Sequence, residues 1–378
     1  MRKLSILIFV ALSACGKTEN QNFITTLVET DKQIILPLSS TTPNVSHGLT
    51  YLAEEDLLFN LNWNENAIQI YDLNSKTILK NLLFDQEGPK GVGKIFGIHP
   101  HSVDSIFIFN AGLPAITMID SSGAIIDRFE YTPPEAYQPA FVHNAYFHSP
   151  PKLQNGKLAV KTRYEIRITD MTQEKLQDVD VIYEIDLKSG ETEFKNLKFP
   201  KDYMPNGVKQ FETSIAHSPN KTVYSLFGDH RLFYLEDDKN ELKSVKGKSD
   251  FLPDLLPYIP ENPSGSSFRD YMLYSPHYGT LDYDPFREVF IRFAFQKNEV
   301  DKSATIDGRV PSPPFSIQVF DKGLKLISET ALPSNQYHPF DYFISEEGIY
   351  LSINHPLNPK NKENELTFRL VEYQKVLE

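Results

Sequence analysis

Five times along this chain an apolar strand runs into an acid and then a tight turn, and few folds tolerate such a recurrence. The copies are Ile70-Tyr71-Asp72-Leu73-Asn74, Met118-Ile119-Asp120-Ser121-Ser122-Gly123, Glu184-Ile185-Asp186-Leu187-Lys188-Ser189-Gly190, Leu235-Glu236-Asp237-Asp238-Lys239-Asn240 and Val319-Phe320-Asp321-Lys322-Gly323. Asp, Asn and Gly suit these turns because they tolerate left-handed backbone and bond locally to it. A weaker sixth copy is Leu370-Val371-Glu372-Tyr373. Most intervals between the acids are roughly 50 residues, the period of a four-stranded propeller blade.

Two further strands precede each unit. The middle ones are Leu57 to Trp63, Ser105 to Asn110, Lys157 to Thr162, Thr222 to Phe227, Glu288 to Phe295 and Gly348 to Asn354. Ile106-Phe107-Ile108-Phe109 is apolar on both faces, as a strand sandwiched between blades would be. Inner strands fit Leu49 to Glu54, Lys94 to Ile98, Thr213 to Ala216, Gly279 to Tyr283 and Tyr342 to Ser345. The sixth copy ends close to the last residue and lacks an outer strand, whereas Gln33-Ile34-Ile35-Leu36-Pro37-Leu38 has no blade of its own. An unpaired edge invites aggregation, and Pro37 suits an edge position. The expected fold is therefore all-β: a single β-propeller over residues 31–378 with six four-stranded blades, its last blade completed by the N-terminal strand. A seventh blade would have to lie within 257–275.

The sole cysteine, Cys15, ends Leu12-Ser13-Ala14-Cys15 after a basic start at Arg2-Lys3 and an apolar run from Leu4 to Leu12. This pattern resembles a bacterial lipoprotein signal: residues 1–14 as signal peptide, then lipidated Cys15 and a polar tether over 15–30. The apolar run is too short for a transmembrane helix. Diacylglyceryl and N-acyl chains together anchor stably where one chain does not. Gly16 stands where an inner-membrane retention signal would have Asp, so the resemblance implies the outer membrane, on its periplasmic or outer surface. With its cysteine used for the anchor, the body has no disulfide, thiol nucleophile or thiolate metal site. A formal net charge of −12 and the lack of a basic stripe oppose binding to nucleic acid. A monomer is expected.

Long insertions fall in one class of loop. Within blades they are Arg163 to Asp180, Lys297 to Pro314 and His355 to Glu365; between blades, Tyr131 to Pro150 and Gly247 to His277. In a propeller these emerge on one face, and such gathering marks a binding face. The competing reading is tolerated surface loops, which close cheaply. His47, His143, His277 and His338 map to the channel mouth on that side, with His230 and His355 in its loops, as ligand contacts or hydrogen-bonded lining. Arg163, Tyr164, Arg292 and Trp63 are the other candidate ligand contacts: a guanidinium can fork onto a carboxylate and an aromatic offers a flat face. The alternative pairs each arginine with a nearby acid, such as Glu165 or Asp282.

Three motifs point nowhere. His99-Pro100-His101 lacks a third metal ligand at suitable spacing. Gly88-Pro89-Lys90-Gly91-Val92-Gly93-Lys94 has P-loop spacing, but Ile95 replaces the Mg²⁺-binding hydroxyl and no helix follows. Asp282/Asp284 and Glu135/Glu212 are carboxylate pairs, but a glycosidase needs two acids about 5–10 Å apart, which sequence does not establish, and in a chain with 50 acids such pairs arise by coincidence. No metal, cofactor or catalytic residue is expected from these.

The lipoprotein signal, the six units and the connection Glu87-Gly88-Pro89…Gly91 together resemble the six-bladed propeller lipoproteins of Bacteroidota-type bacteria grouped as a domain of unknown function. Lys90 departs from the small or polar residue expected there. The resemblance implies fold and envelope location, and carries over no catalytic residue. Two function classes follow. One is a membrane-tethered propeller that binds a glycan, peptide or envelope protein on its long-loop face. The other is a glycan-directed hydrolase or lyase at the channel mouth. The lack of a nucleophile, metal or cofactor motif favours the first.

Overall fold

The computed structural model describes residues 23–110, 112–261, 263–299, 313–333 and 335–377. The signal peptide and Cys15 lie outside them, as do residues 300–312 of one insertion. Six four-stranded antiparallel sheets form the blades of a propeller. Blades 1 to 5 take their strands in chain order over 49–83, 95–130, 152–194, 213–246 and 277–332. Blade 6 is built from His338–Ile344, Ile349–Ser352 and Glu365–Leu377, and its outer strand is the N-terminal Phe23–Pro37. Pairing runs from Phe23↔Leu377 to Pro37↔Glu365, with an irregularity between Glu29 and Gln33. The propeller therefore begins at Phe23 rather than at 31, and residues 23–30 belong to this strand instead of the tether.

Each acid-turn unit is the third strand of its blade and the turn after it. Asp72 Oδ1 accepts the amides of Asn74 and Ser75, Asp120 Oδ1 those of Ser122 and Ala124, and Asp186 Oδ1 those of Lys188 and Ser189. Asp321 Oδ1 does the same for Gly323 and Lys325. Hydrogen bonds from Ser75 and Ser122 hold the Asp72 and Asp120 carboxyls below their ordinary range, and backbone bonds do so for Asp186.

Each seam between blades has its own apolar cluster, and together the six clusters form a complete circuit. Phe59, Leu61, Ile68 and Ile70 of blade 1 meet Ile95, Ile106 and Ile108 of blade 2. The last seam packs Leu36, Leu366, Phe368 and Phe343 against Leu49, Leu58 and Tyr71. Second and third strands have a seam on each side, so Val289–Phe295 and Phe315–Phe320 are buried at every position. Outer strands such as Thr77–Leu83 are largely exposed.

The inner strand of blade 3, Lys152–Gln154, has only three residues and no apolar alternation to announce it. Among the described residues of 257–275 there is no strand, and so no seventh blade. That stretch carries the helix Gly265–Tyr274, whose N-cap Ser264 accepts the amide of Ser267. After Gly88 to Lys94 comes a strand, Ile95–Ser102, which removes the P-loop reading. Among the described residues no helix is long and apolar enough to cross a membrane.

Candidate functional site

Hydrogen bonds tie the long segments together on one face. Tyr137 of the blade 2–3 connection bridges Tyr164 of the blade 3 insertion. The Asn298 amide reaches the Tyr274 carbonyl at 3.1 Å, and Asn358 Nδ2 reaches the Gln336 carbonyl at 2.8 Å. The connection over 140–147 is stitched inward by Asn144. Its Oδ1 accepts the Ile98 amide, while its Nδ2 donates to the Ile98 carbonyl and to Thr50 Oγ1. Gly97 permits this approach, because a β-carbon there would collide with the Val142 carbonyl.

Around the channel mouth these segments assemble a collar of rings. His47 stacks on Trp63 at 4.9 Å, Trp63 on Phe96 at 5.5 Å, and His143 meets the Trp63 edge at 5.3 Å. The chain continues through Tyr146 to Phe340, 4.4 Å apart, and from Phe340 to His338 and Phe295. Beyond these, His277 lies between Phe295 and Phe227. His143 Nδ1 accepts the amides of Ala145 and Tyr146, both at 3.1 Å. Burial, with a smaller push from the Lys161 charge, moves its pKa down to about 4. The ring is thus neutral at pH 7 and its Nε2–H is a donor. His47 Nδ1 is likewise engaged, accepting the Trp63 amide. The buried Trp63 Nε1–H has no acceptor among the described residues.

Beside the collar, a cavity of about 310 Å³ opens between the blade 3 insertion and the connection from blade 3 to blade 4. Its walls include Ile166, Val179, Val181, Phe199 and Phe211, and Phe268 of the helix Gly265–Tyr274 contributes from the region that hides no blade. Arg163 stands exposed at its rim with the guanidinium 4.5 Å from the Phe141 ring centre, a cation–π distance. It makes no ion pair with Glu165 or any other acid among the described residues. Tyr164 lines the same cavity and packs edge-on against Tyr137. Lys161, buried, donates to Glu212 Oε1 and to the Thr213 carbonyl.

The structure thus gathers Trp63 and His143 in the collar and places His338 across the mouth. Arg163 and Tyr164 join them through Phe141, which packs on Phe96 at 4.9 Å. His338 Nδ1 lies 3.4 Å from Asp341 Oδ2. Arg292 stands apart. It is fully buried, donates to Gln318 Oε1 and the Gly247 carbonyl, and stacks 3.7 Å over Tyr278. Neither Asp282 nor solvent reaches its guanidinium, so its place is in the wall between blades 4 and 5. Asp282 instead accepts from the Tyr342 hydroxyl at 3.0 Å and lies 3.5 Å from His148 Nδ1.

Sequence reasoning missed Phe96, Phe141, Tyr146, Phe340 and Phe268. The run Phe141-Val142-His143-Asn144-Ala145-Tyr146-Phe147-His148, unusually aromatic for a connection, carried a signal for three of the site's rings. Two larger hollows, about 740 and 580 Å³, lie at the blade 2–3 seam and on the short-loop side between blades 6 and 1. Neither contains a collar residue. Among the described residues no three His, Cys, Asp or Glu side chains gather as a metal site.

A family model described as "Domain of unknown function (DUF4221)" matches residues 25–331. The crystal structure of a DUF4221 family member from Bacteroides vulgatus superposes with a TM-score of 0.81 at 23% identity, covering 94% of this chain and 100% of that one. A Bacteroides fragilis structure described as a "Putative exported protein" gives a TM-score of 0.55 at 10% identity, with 93% and 96% covered. No curated protein matches. The chain belongs to the DUF4221 family.

Proposed function

We propose that this DUF4221 propeller is a binding module of the cell envelope, held at the outer membrane by lipid on Cys15, which takes its ligand on the long-loop face. The observation that carries the reading is Arg163: a cation with no acid partner among the described residues, seated on Phe141 at the rim of a cavity. A protein gains little by fixing a lone guanidinium beside an apolar hollow unless something anionic or hydrogen-bonding arrives there. Trp63, His143 and His338 extend the surface with flat faces and donors. Stitching by Asn144 holds the site in shape before a ligand comes, which lowers the entropy cost of binding.

Hydrolysis is the weaker reading. Two-carboxylate glycoside cleavage needs a pair of acids flanking one bond. Among the described residues Glu212 is the one carboxylate lining the cavity, and Lys161 already holds it.

The test is a thermal-shift screen of the protein lacking residues 1–15 against envelope glycans, peptides and divalent metals. A ligand at ~100 times its Kd adds about 2.7 kcal/mol. A hit that disappears in Arg163→Ala supports the reading; a hit whose ligand is chemically consumed replaces it with catalysis. For the anchor, Cys15→Ala should release the protein from the membrane fraction, and continued membrane association would refute lipid attachment there.

A further inference from the structure

We infer that the cavity beside Arg163 takes an apolar carboxylate, a carboxyl group joined directly to a branched or aromatic hydrocarbon body. This rests on the binding reading above and adds the chemistry of the ligand.

Charge comes first. Among the described residues, two cations and one acid line the cavity: Lys161, Arg163 and Glu212. Lys161 and Glu212 neutralise each other, and Lys161 is further fixed on the Thr213 carbonyl. One positive charge, on Arg163, is left uncompensated, so the complementary ligand carries one negative charge. A planar guanidinium favours a planar two-oxygen acceptor, and stacking on Phe141 leaves the N–H edge of its fork available. Gln210, whose side-chain amide has no partner among the described residues, adds a neutral donor on the same lining.

Shape comes second. Behind the rim the lining is Ile166, Val179, Val181, Phe199 and Phe211, roofed by Phe268. Val179, Val181 and Phe199 are buried and packed in the blade 3–4 core, so this part of the hollow is a fixed apolar socket. A volume of about 310 Å³ suits one leucine- or phenylalanine-sized group with its carboxyl end, at the small end of ligand cavities. Either the C-terminus of a polypeptide or a free small acid offers this chemistry.

The experiment is calorimetric titration of the full chain in mild detergent. Its probes are acetyl-Gly-Gly-Leu with a free carboxylate, the same peptide as its C-terminal amide, and 4-methylpentanoate. The acid peptide should bind at least tenfold more tightly than the amide, and Arg163→Ala should abolish that difference. Ile166→Trp, which fills the socket and leaves the cation, should weaken both acids at least tenfold. Equal affinity for peptide acid and 4-methylpentanoate makes a free acid the natural ligand, while a peptide advantage of tenfold or more makes it a polypeptide C-terminus. Equal binding of acid and amide would overturn the inference. So would silence from all three probes when the stability screen still yields a ligand, and the binding reading would then survive alone. If neither experiment yields a ligand, both fail together.

Discussion

Replacing Arg292 by alanine tests whether the side chain is a wall element or a ligand contact. In the folded chain its Nε lies 2.9 Å from Gln318 Oε1, its Nη2 donates to the Gly247 carbonyl, and its plane covers Tyr278 and Phe320. No acid among the described residues forms an ion pair with it, and burial lowers its pKa. Loss of a desolvated cation–π contact costs about 2 kcal/mol. The Gly247 carbonyl keeps its bond from Gln318 Nε2, so one buried acceptor, Gln318 Oε1, is left unpaired, at roughly 1–3 kcal/mol. Relief from burying a charge returns part of this, for a net loss of about 3 kcal/mol. At roughly 2 °C per kcal/mol for a chain of this size, Tm should fall by about 6 °C in scanning calorimetry. Arg292→Met, which refills the volume without the charge, should recover roughly half. A fall under ~2 °C for the alanine variant, or loss of ligand affinity at unchanged Tm, would show that the guanidinium serves the site and not the wall.

Gly97→Ala pushes a β-carbon into the Val142 carbonyl. It should cost roughly 1–3 kcal/mol and alter the Trp63 emission, since Phe141 and His143 flank the displaced backbone; an unchanged spectrum and Tm would contradict the packing described. Leu36→Ala opens a cavity in the blade 6–1 seam, where Leu36 is fully buried. It should cost about 2–5 kcal/mol by denaturant unfolding, and a loss below ~1 kcal/mol would mean that the N-terminal strand does not close the ring. Burial depresses the imidazole pKa values of His99, His143, His277 and His355 to about 4 and that of His217 to about 3. Their unfolded value is higher, about 6.5, so the unfolded chain takes up protons first. Stability is then fully present above pH 6.5 and is lost as pH falls toward 4, by up to about 1.4 kcal/mol per pH unit for each ring. A Tm that stays flat from pH 7 to 5 would refute this.

Much of the fold was legible because its signals are local. An Asp side chain closing a turn two or three residues ahead requires no distant partner, so the Asp72, Asp120, Asp186 and Asp321 turns announced the third strands. Two-sided apolar runs such as Ile106 to Phe109 announced the middle strands, because a blade has neighbours on both faces. Blade 3 hid its inner strand, since three residues are too few for a period to appear. The site was only half legible. Loop length showed which face to inspect and which arginines and histidines sit there, but gave Arg163 and Arg292 the same standing.

The sequence by itself determined the repeat, the number of blades, the orphan strand that completes the last one, and the face that carries the insertions. Only the tertiary structure separated Arg163, free on Phe141, from Arg292, sealed over Tyr278. It alone brought Tyr146 to Phe340 and Lys161 to Glu212. These partners come from different blades or their connections, and their distances are set by closure of the ring, which residues near them in the chain do not encode.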